Sequence, residues 1–147
     1  MAITSSTLGG ILTALATRLS TVSGLTVYDF EPRDLAVPAA TIILETAERS
    51  PVELGEVRRE SQIGSVDLAC AWTVRVWSSG DYTRASDARA LQLVGQVIAA
   101  IDADETLGGV VLSASAATAT RERVESPPES GNEFVTYIVT VTTSSLH

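Results

Sequence analysis

Residues 71–109 read AWTVRVWSSGDYTRASDARALQLVGQVIAAIDADETLGG, and the order of residue types in this stretch fixes the fold class. Its first residues finish a strand pattern that begins at Ile63. Val66, Leu68, Cys70, Trp72, Val74 and Val76 recur at a spacing of two, so they line one face of a strand over 63–77. Asp67, Ala69, Ala71, Thr73, Arg75 and Trp77 line the other. Ser78, Ser79, Gly80 and Asp81 break the strand and offer helix caps. The pattern then predicts a helix over 82–103, with a stripe of Leu91, Val94, Ile98 and Ile101 widened by Ala88 and Val97. Arg84, Asp87 and Gln96 are expected to face water. Thr106, Leu107, Gly108 and Gly109 end the helix, because glycine accepts the left-handed backbone of a helix stop.

Working outward, residues 4–21 predict another helix. Leu8, Ile11, Leu12, Leu15 and Leu19 recur at threes and fours, one of Thr4, Ser5 and Ser6 caps the start, and Gly24 is the expected stop. A strand over 25–30 ends at Glu31-Pro32, and an apolar run over 39–46 predicts a strand covered on both faces. The sequence 47–62, AERSPVELGEVRRESQ, carries charges of both signs and reads either as a long polar loop or as the extended tip of a hairpin. Downstream, strands are expected over 110–123 and 133–143. They are joined by the turn-rich 127–132, which is too short for a crossover helix, so the pair is antiparallel. Residues 144–147 are expected to fray.

The expected fold is therefore α+β: two helices on a mostly antiparallel sheet of about five strands, in the order α-β-β-β-α-β-β, within a single domain spanning 1–147. A chain of 147 residues, 45% hydrophobic and 19% charged, can bury a sizeable core. A net charge of −8 disfavours general nucleic-acid binding. All ten basic residues are arginine. Either a GC-rich codon bias or selection for bidentate subunit contacts accounts for that, and in both cases no Schiff-base or phosphate-loop lysine exists. One cysteine, Cys70, permits no intramolecular disulfide and reads as a small core residue. Neither a signal-peptide pattern nor an apolar run long enough to cross a bilayer occurs in the sequence, so a soluble protein made in a cytoplasm, without membrane contact, is expected.

Chemistry-bearing patterns are sparse. The only histidine is His147, so no Ser-His-Asp arrangement and no His-based metal site is expected. Asp102, Asp104 and Glu105 form the densest carboxylate run, and they read as a solvated helix end rather than a calcium loop. Glu53, Glu56 and Glu60 are interleaved with Arg49, Arg58 and Arg59, which reads as mixed-charge surface rather than as a glycosidase pair or a nucleic-acid patch. No catalytic residue, cofactor or metal is expected, and the chain is read as a non-enzyme.

Four phrases, in order, carry a resemblance: a leading amphipathic helix that ends in SGLTVYDFEP, the strand PAATII, the strand-to-helix passage WTVRVW–DYTRASDARALQLVGQVIAAIDAD, and the exit ETLGGVV into a terminal hairpin with FVTYIVTV. The chain resembles, over nearly its full length, the tail terminator (tail completion) proteins of long-tailed bacteriophages, especially those of actinobacteria. The resemblance implies a structural virion subunit found at the neck of the tail and, during assembly, in the host cytoplasm. It implies a homo-oligomeric ring, as a rule a hexamer, that caps the tail-tube protein, stops tube growth and meets head-completion or connector proteins. Genome DNA would pass through its lumen without sequence-specific binding.

Interface residues expected on grounds of exposure, loop length and anchor chemistry are Arg49, Glu56, Arg58, Arg59, Trp77, Pro128 and Asn132. For Trp77, packing under the second helix is an equal alternative. The rival functions are another head–tail connector or tail-tube subunit, and a small ligand-binding α/β domain with a concave apolar pocket.

Overall fold

A computed structural model describes residues 5–51, 66–79, 84–122 and 134–146. Its elements run α1 (Ser5–Leu19), β1 (Thr26–Tyr28), β2 (Ala39–Pro51), β3 (Val66–Ser79), α2 (Arg84–Asp102), β4 (Ser113–Glu122) and β5 (Phe134–Leu146). The order α-β-β-β-α-β-β and the α+β class stand as expected. The five strands form one sheet in the order β1-β2-β3-β5-β4. Only β1 and β2 run parallel; β2–β3, β3–β5 and β4–β5 are antiparallel.

The strict alternation in β3 decides the layering. Leu68, Cys70, Trp72, Val74 and Val76 are all buried. Through the ladder, Ile42 and Val139 flank Val74, and Leu44 and Val141 flank Trp72. These side chains meet Ile11, Leu15 and Leu19 of α1 and Leu93, Val94, Val97 and Ile101 of α2 in one core. Both helices therefore cover a single face of the sheet, α1 toward β1 and β2, α2 across β3, β5 and β4. The buried Trp72 indole N–H is satisfied: it donates to Thr143 Oγ1 at 3.1 Å. Burying such a donor without a partner would cost about 1–3 kcal/mol.

The two helices are also tied end to side. α2 has no basic residue in its last turn, and Arg18 of α1 donates its Nε–H to the Ala100 carbonyl there, at 2.5 Å. A cation at a helix C-terminus meets the negative end of the helix dipole. Just beyond, Asp104 accepts from the Gly108 amide at 2.8 Å, from the Thr106 hydroxyl at 3.0 Å and from the Thr106 amide at 3.3 Å. Those donors, the Gly108 amide foremost, hold its carboxyl below the usual range, with Arg18 adding a little. Leu107, Gly108 and Gly109 all take positive φ (49°, 72° and 89°), and Leu107 is buried as the plug of this turn.

Four expectations need correction. Leu91 does not face the core; it is 56% exposed, and the buried face of α2 is Ser86, Ala90, Leu93, Val94, Val97, Ala100 and Ile101. Small residues at 86, 90 and 100 let the helix lie close to the sheet, which rotates Leu91 outward. The polar stretch 47–62 is not a loop from its start: 47–51 continue β2, paired with 66–70 of β3. This favours the hairpin alternative for those residues, while 52–62 lie outside the described residues. The C-terminal residues 144–146 do not fray but pair with 67–69 of β3, and Ser145 is 2% exposed. Finally, β4 begins at Ser113 rather than Val110, because the Val111 amide is turned back to the Thr106 carbonyl at 3.1 Å.

Candidate functional site

The helices leave one whole face of the sheet without a covering helix among the described residues. By the ladder register this open face carries Thr41 and Ile43 of β2, Thr73, Arg75 and Trp77 of β3, Thr136, Ile138, Thr140 and Thr142 of β5, and Ser115, Thr118, Thr120 and Glu122 of β4. Threonine suits such a face, since a β-branched side chain fits the pleat; Thr118, Thr120 and Thr142 are exposed, whereas Thr41, Thr73 and Thr136 are buried.

Cross-strand polar pairs knit the surface together. Arg75 donates to Glu122 through Nε at 2.7 Å and Nη2 at 3.2 Å, a two-pronged contact reaching over β5. The Thr73 hydroxyl donates to Glu45 Oε1 at 2.8 Å, the Ser144 hydroxyl to Asp67 Oδ1 at 2.9 Å, and the Ser115 and Thr142 hydroxyls meet at 3.2 Å. At one end Trp77 donates its indole N–H to Thr41 Oγ1 at 3.3 Å, and the Arg75 guanidinium lies 5.9 Å from the centre of its ring. Beside it, in register with both Trp77 and Glu122, Thr136 is fully buried and its Oγ1 has no hydrogen-bond partner among the described residues.

At the other end is a shallow groove of about 320 Å³, lined among others by Glu48, Ala69, Ala71, Ser113, Thr142 and Ser144. Its walls are small and polar, with one carboxylate. A small-molecule site uses an apolar concavity with convergent polar groups, and this groove has neither the depth nor the convergence. Cys70 borders it but belongs to the core on the covered face, where burial pushes its thiol's pKa up against a smaller opposing effect from Thr143, so it is a poor nucleophile. Among the described residues no three of His, Cys, Asp and Glu are grouped so as to hold a metal ion.

The expected interface residues are not brought together. Arg49 is exposed on β2, opposite Leu68. Trp77 is half-buried at the far end of β3, opposite Ala39, and on the other face. The alternative that Trp77 packs under α2 is overturned, because α2 lies across the sheet from it. Glu56, Arg58, Arg59, Pro128 and Asn132 lie outside the described residues. The sequence reading missed the outer edge of β4, which has no strand partner among the described residues. Its signal was the run SASAATAT, eight residues without charge or proline, ahead of Arg121 and Glu122. No helix among the described residues is long and apolar enough to cross a membrane. Comparisons of the chain with protein-family models and with curated proteins returned no match.

Proposed function

We propose that this chain is a structural subunit of a bacteriophage tail, forming a ring that caps the tail tube, ends its growth and joins the tail to the head connector. The observation that carries the reading is the seven-element order α-β-β-β-α-β-β, the same order on which the resemblance to tail terminator proteins rests. Two features of the surface are compatible with it. The open face is held by cross-strand pairs instead of a convergent set of reactive groups, and the shallow groove favours a protein–protein role over a ligand-binding one. The ring is homo-oligomeric and made by a heterologous contact, one patch of a subunit meeting a different patch of its neighbour. Its partners are further copies of itself, the tail-tube protein and a head-completion or connector protein, with genome DNA passing through. No catalytic step and no cofactor belongs to this function.

The test is to add the purified chain to tail-tube protein assembling in vitro and to view the product by negative-stain microscopy. Tubes ending in a single added ring, and no longer growing, support the reading. Incorporation along the tube's length would instead make the chain a tube subunit. Tubes that grow unchanged, with the chain left monomeric in solution, contradict the reading altogether.

A further inference from the structure

We propose that two copies of this chain pair through the outer edges of β4, antiparallel about a two-fold axis near Thr118, with Leu91 and Ile98 of α2 closing over the seam. This pair is a property of the free chain and does not rest on the ring reading, since a ring requires a different, heterologous patch.

β4 ends the sheet order, so among the described residues its outer backbone edge has no strand partner. It is ten residues long, and Ser113, Ser115 and residues 117–120 are all exposed. An unpaired edge is a template for another strand, and natural edges are guarded by charge, proline, bulges or brevity. The sheet's other free edge is guarded in this way. β1 covers β2 only over Ala39, Ala40 and Thr41, and the rest of β2 carries exposed Glu45, Glu48 and Arg49, a register shift between Leu44 and Thr46, and Pro51 at its end. β4 has a single such device, a register shift between Ala116 and Thr118, and its charges sit only at Arg121 and Glu122.

The edge is complementary to itself. An antiparallel pair centred between 117 and 118 sets Ser113 opposite Glu122, Ala114 opposite Arg121, Ser115 opposite Thr120 and Ala116 opposite Ala119. No like charges meet, and the centre is small on small. An in-register parallel pair would place Arg121 on Arg121 and Glu122 on Glu122, which is unfavourable.

The helix side points to the same axis. Asp87 of α2 reaches Arg121 of β4 at 3.5 Å, so the flank of α2 bearing Asp87 overlooks β4, and Leu91 and Ile98 share that flank at helical spacing. Leu91 is exposed and Ile98 half-buried. From Arg121 to the axis is roughly 12 Å of strand, equivalent to roughly eight residues of helix, which falls beside α2 midway between 91 and 98. The two-fold axis therefore brings Leu91 of one copy toward Ile98 of its partner, over a trough floored by Ala116 and Ala119. Strand hydrogen bonds across the seam with alternating apolar contacts on one side are the usual components of strand addition.

Sedimentation equilibrium of the full chain, up to roughly 100 µM, tests the pair. A reversible dimer is expected. Thr118→Arg and Leu91→Glu, both at exposed positions, should each weaken it roughly tenfold or more by setting like charges at the axis or removing the apolar lip. Glu48→Arg on the guarded β2 edge should leave it unchanged. Circular dichroism is to confirm that each variant is folded before its association is compared. As a second readout, Thr118→Cys should oxidise to a covalent dimer while Ser20→Cys, on the far side of α1, should not. A chain monomeric at every concentration, an oligomer insensitive to both β4-side variants, or one broken by Glu48→Arg overturns the proposal.

Discussion

The two faces of this sheet are built from the same strands and obey different rules. On the covered face the alternating positions of β3 are Leu68, Cys70, Trp72, Val74 and Val76, and two helices exclude water from them. One residue along in each case, the open face offers Thr73, Arg75 and Trp77, held by pairwise polar contacts to β2 and β4. Stability belongs to the first face, because apolar burial contributes about 1.5–3 kcal/mol per large side chain, whereas half-exposed ion pairs contribute about 0–1. Among the described residues, no helix covers the second face and no strand pairs with the outer edge of β4. The contrast teaches that one small sheet can separate what holds it together from what it presents.

The largest expected effect tests the covered face. Trp72→Ala should destabilise the chain by about 3–5 kcal/mol in chemical denaturation, through a cavity and the lost hydrogen bond to Thr143, while Trp77→Ala at the far end of the same strand should cost about 1–2 kcal/mol. Equal losses would break the comparison. Next, Thr136→Val removes a buried hydroxyl that has no partner and keeps the shape, so it should raise stability by about 1 kcal/mol. A loss of that size would mean that the hydroxyl is used. Replacing Arg75 and Glu122 together by Met and Gln should change stability by less than about 1 kcal/mol, and the effect of breaking the pair singly should shrink as salt is added.

The smallest effect concerns pH. The Gly108 amide and the Thr106 hydroxyl hold the folded pKa of Asp104 below its ordinary value of 3.8. The stability it contributes is present above that ordinary value and is lost as pH falls through the lower, folded one. Asp104→Asn should therefore flatten the stability curve only on the acid side of 3.8, and a difference that persists undiminished below the folded pKa would contradict this account of the turn.

How far the sequence could be read follows from what each pattern constrains. The period of two in β3 can be satisfied only by one buried face, so its core residues were legible one by one. The stripe in α2 was harder. Leu91, Val94, Ile98 and Ile101 form a true stripe, but periodicity does not say which flank meets the sheet, and Ala90, Ala100 and Ser86 were too small to signal that they lie closest to it. Residues 144–146 are polar by composition, yet pairing with β3 orders them, which no local pattern reveals. Of the candidate interface, Arg49 and Trp77 were read as exposed or anchoring one at a time; that they sit at opposite ends and faces is fixed by strand register, a long-range property. The β4 edge was legible only as an absence of charge, and its meaning came from its place at the end of the sheet.

The most direct measurement of the central claim is the position of this chain in intact tailed particles from the genome that encodes it, read by gold-labelled antibody or by density along the tail axis. The account predicts one ring where the tail meets the head. A chain absent from the particle contradicts it, and so does one repeated along the tube.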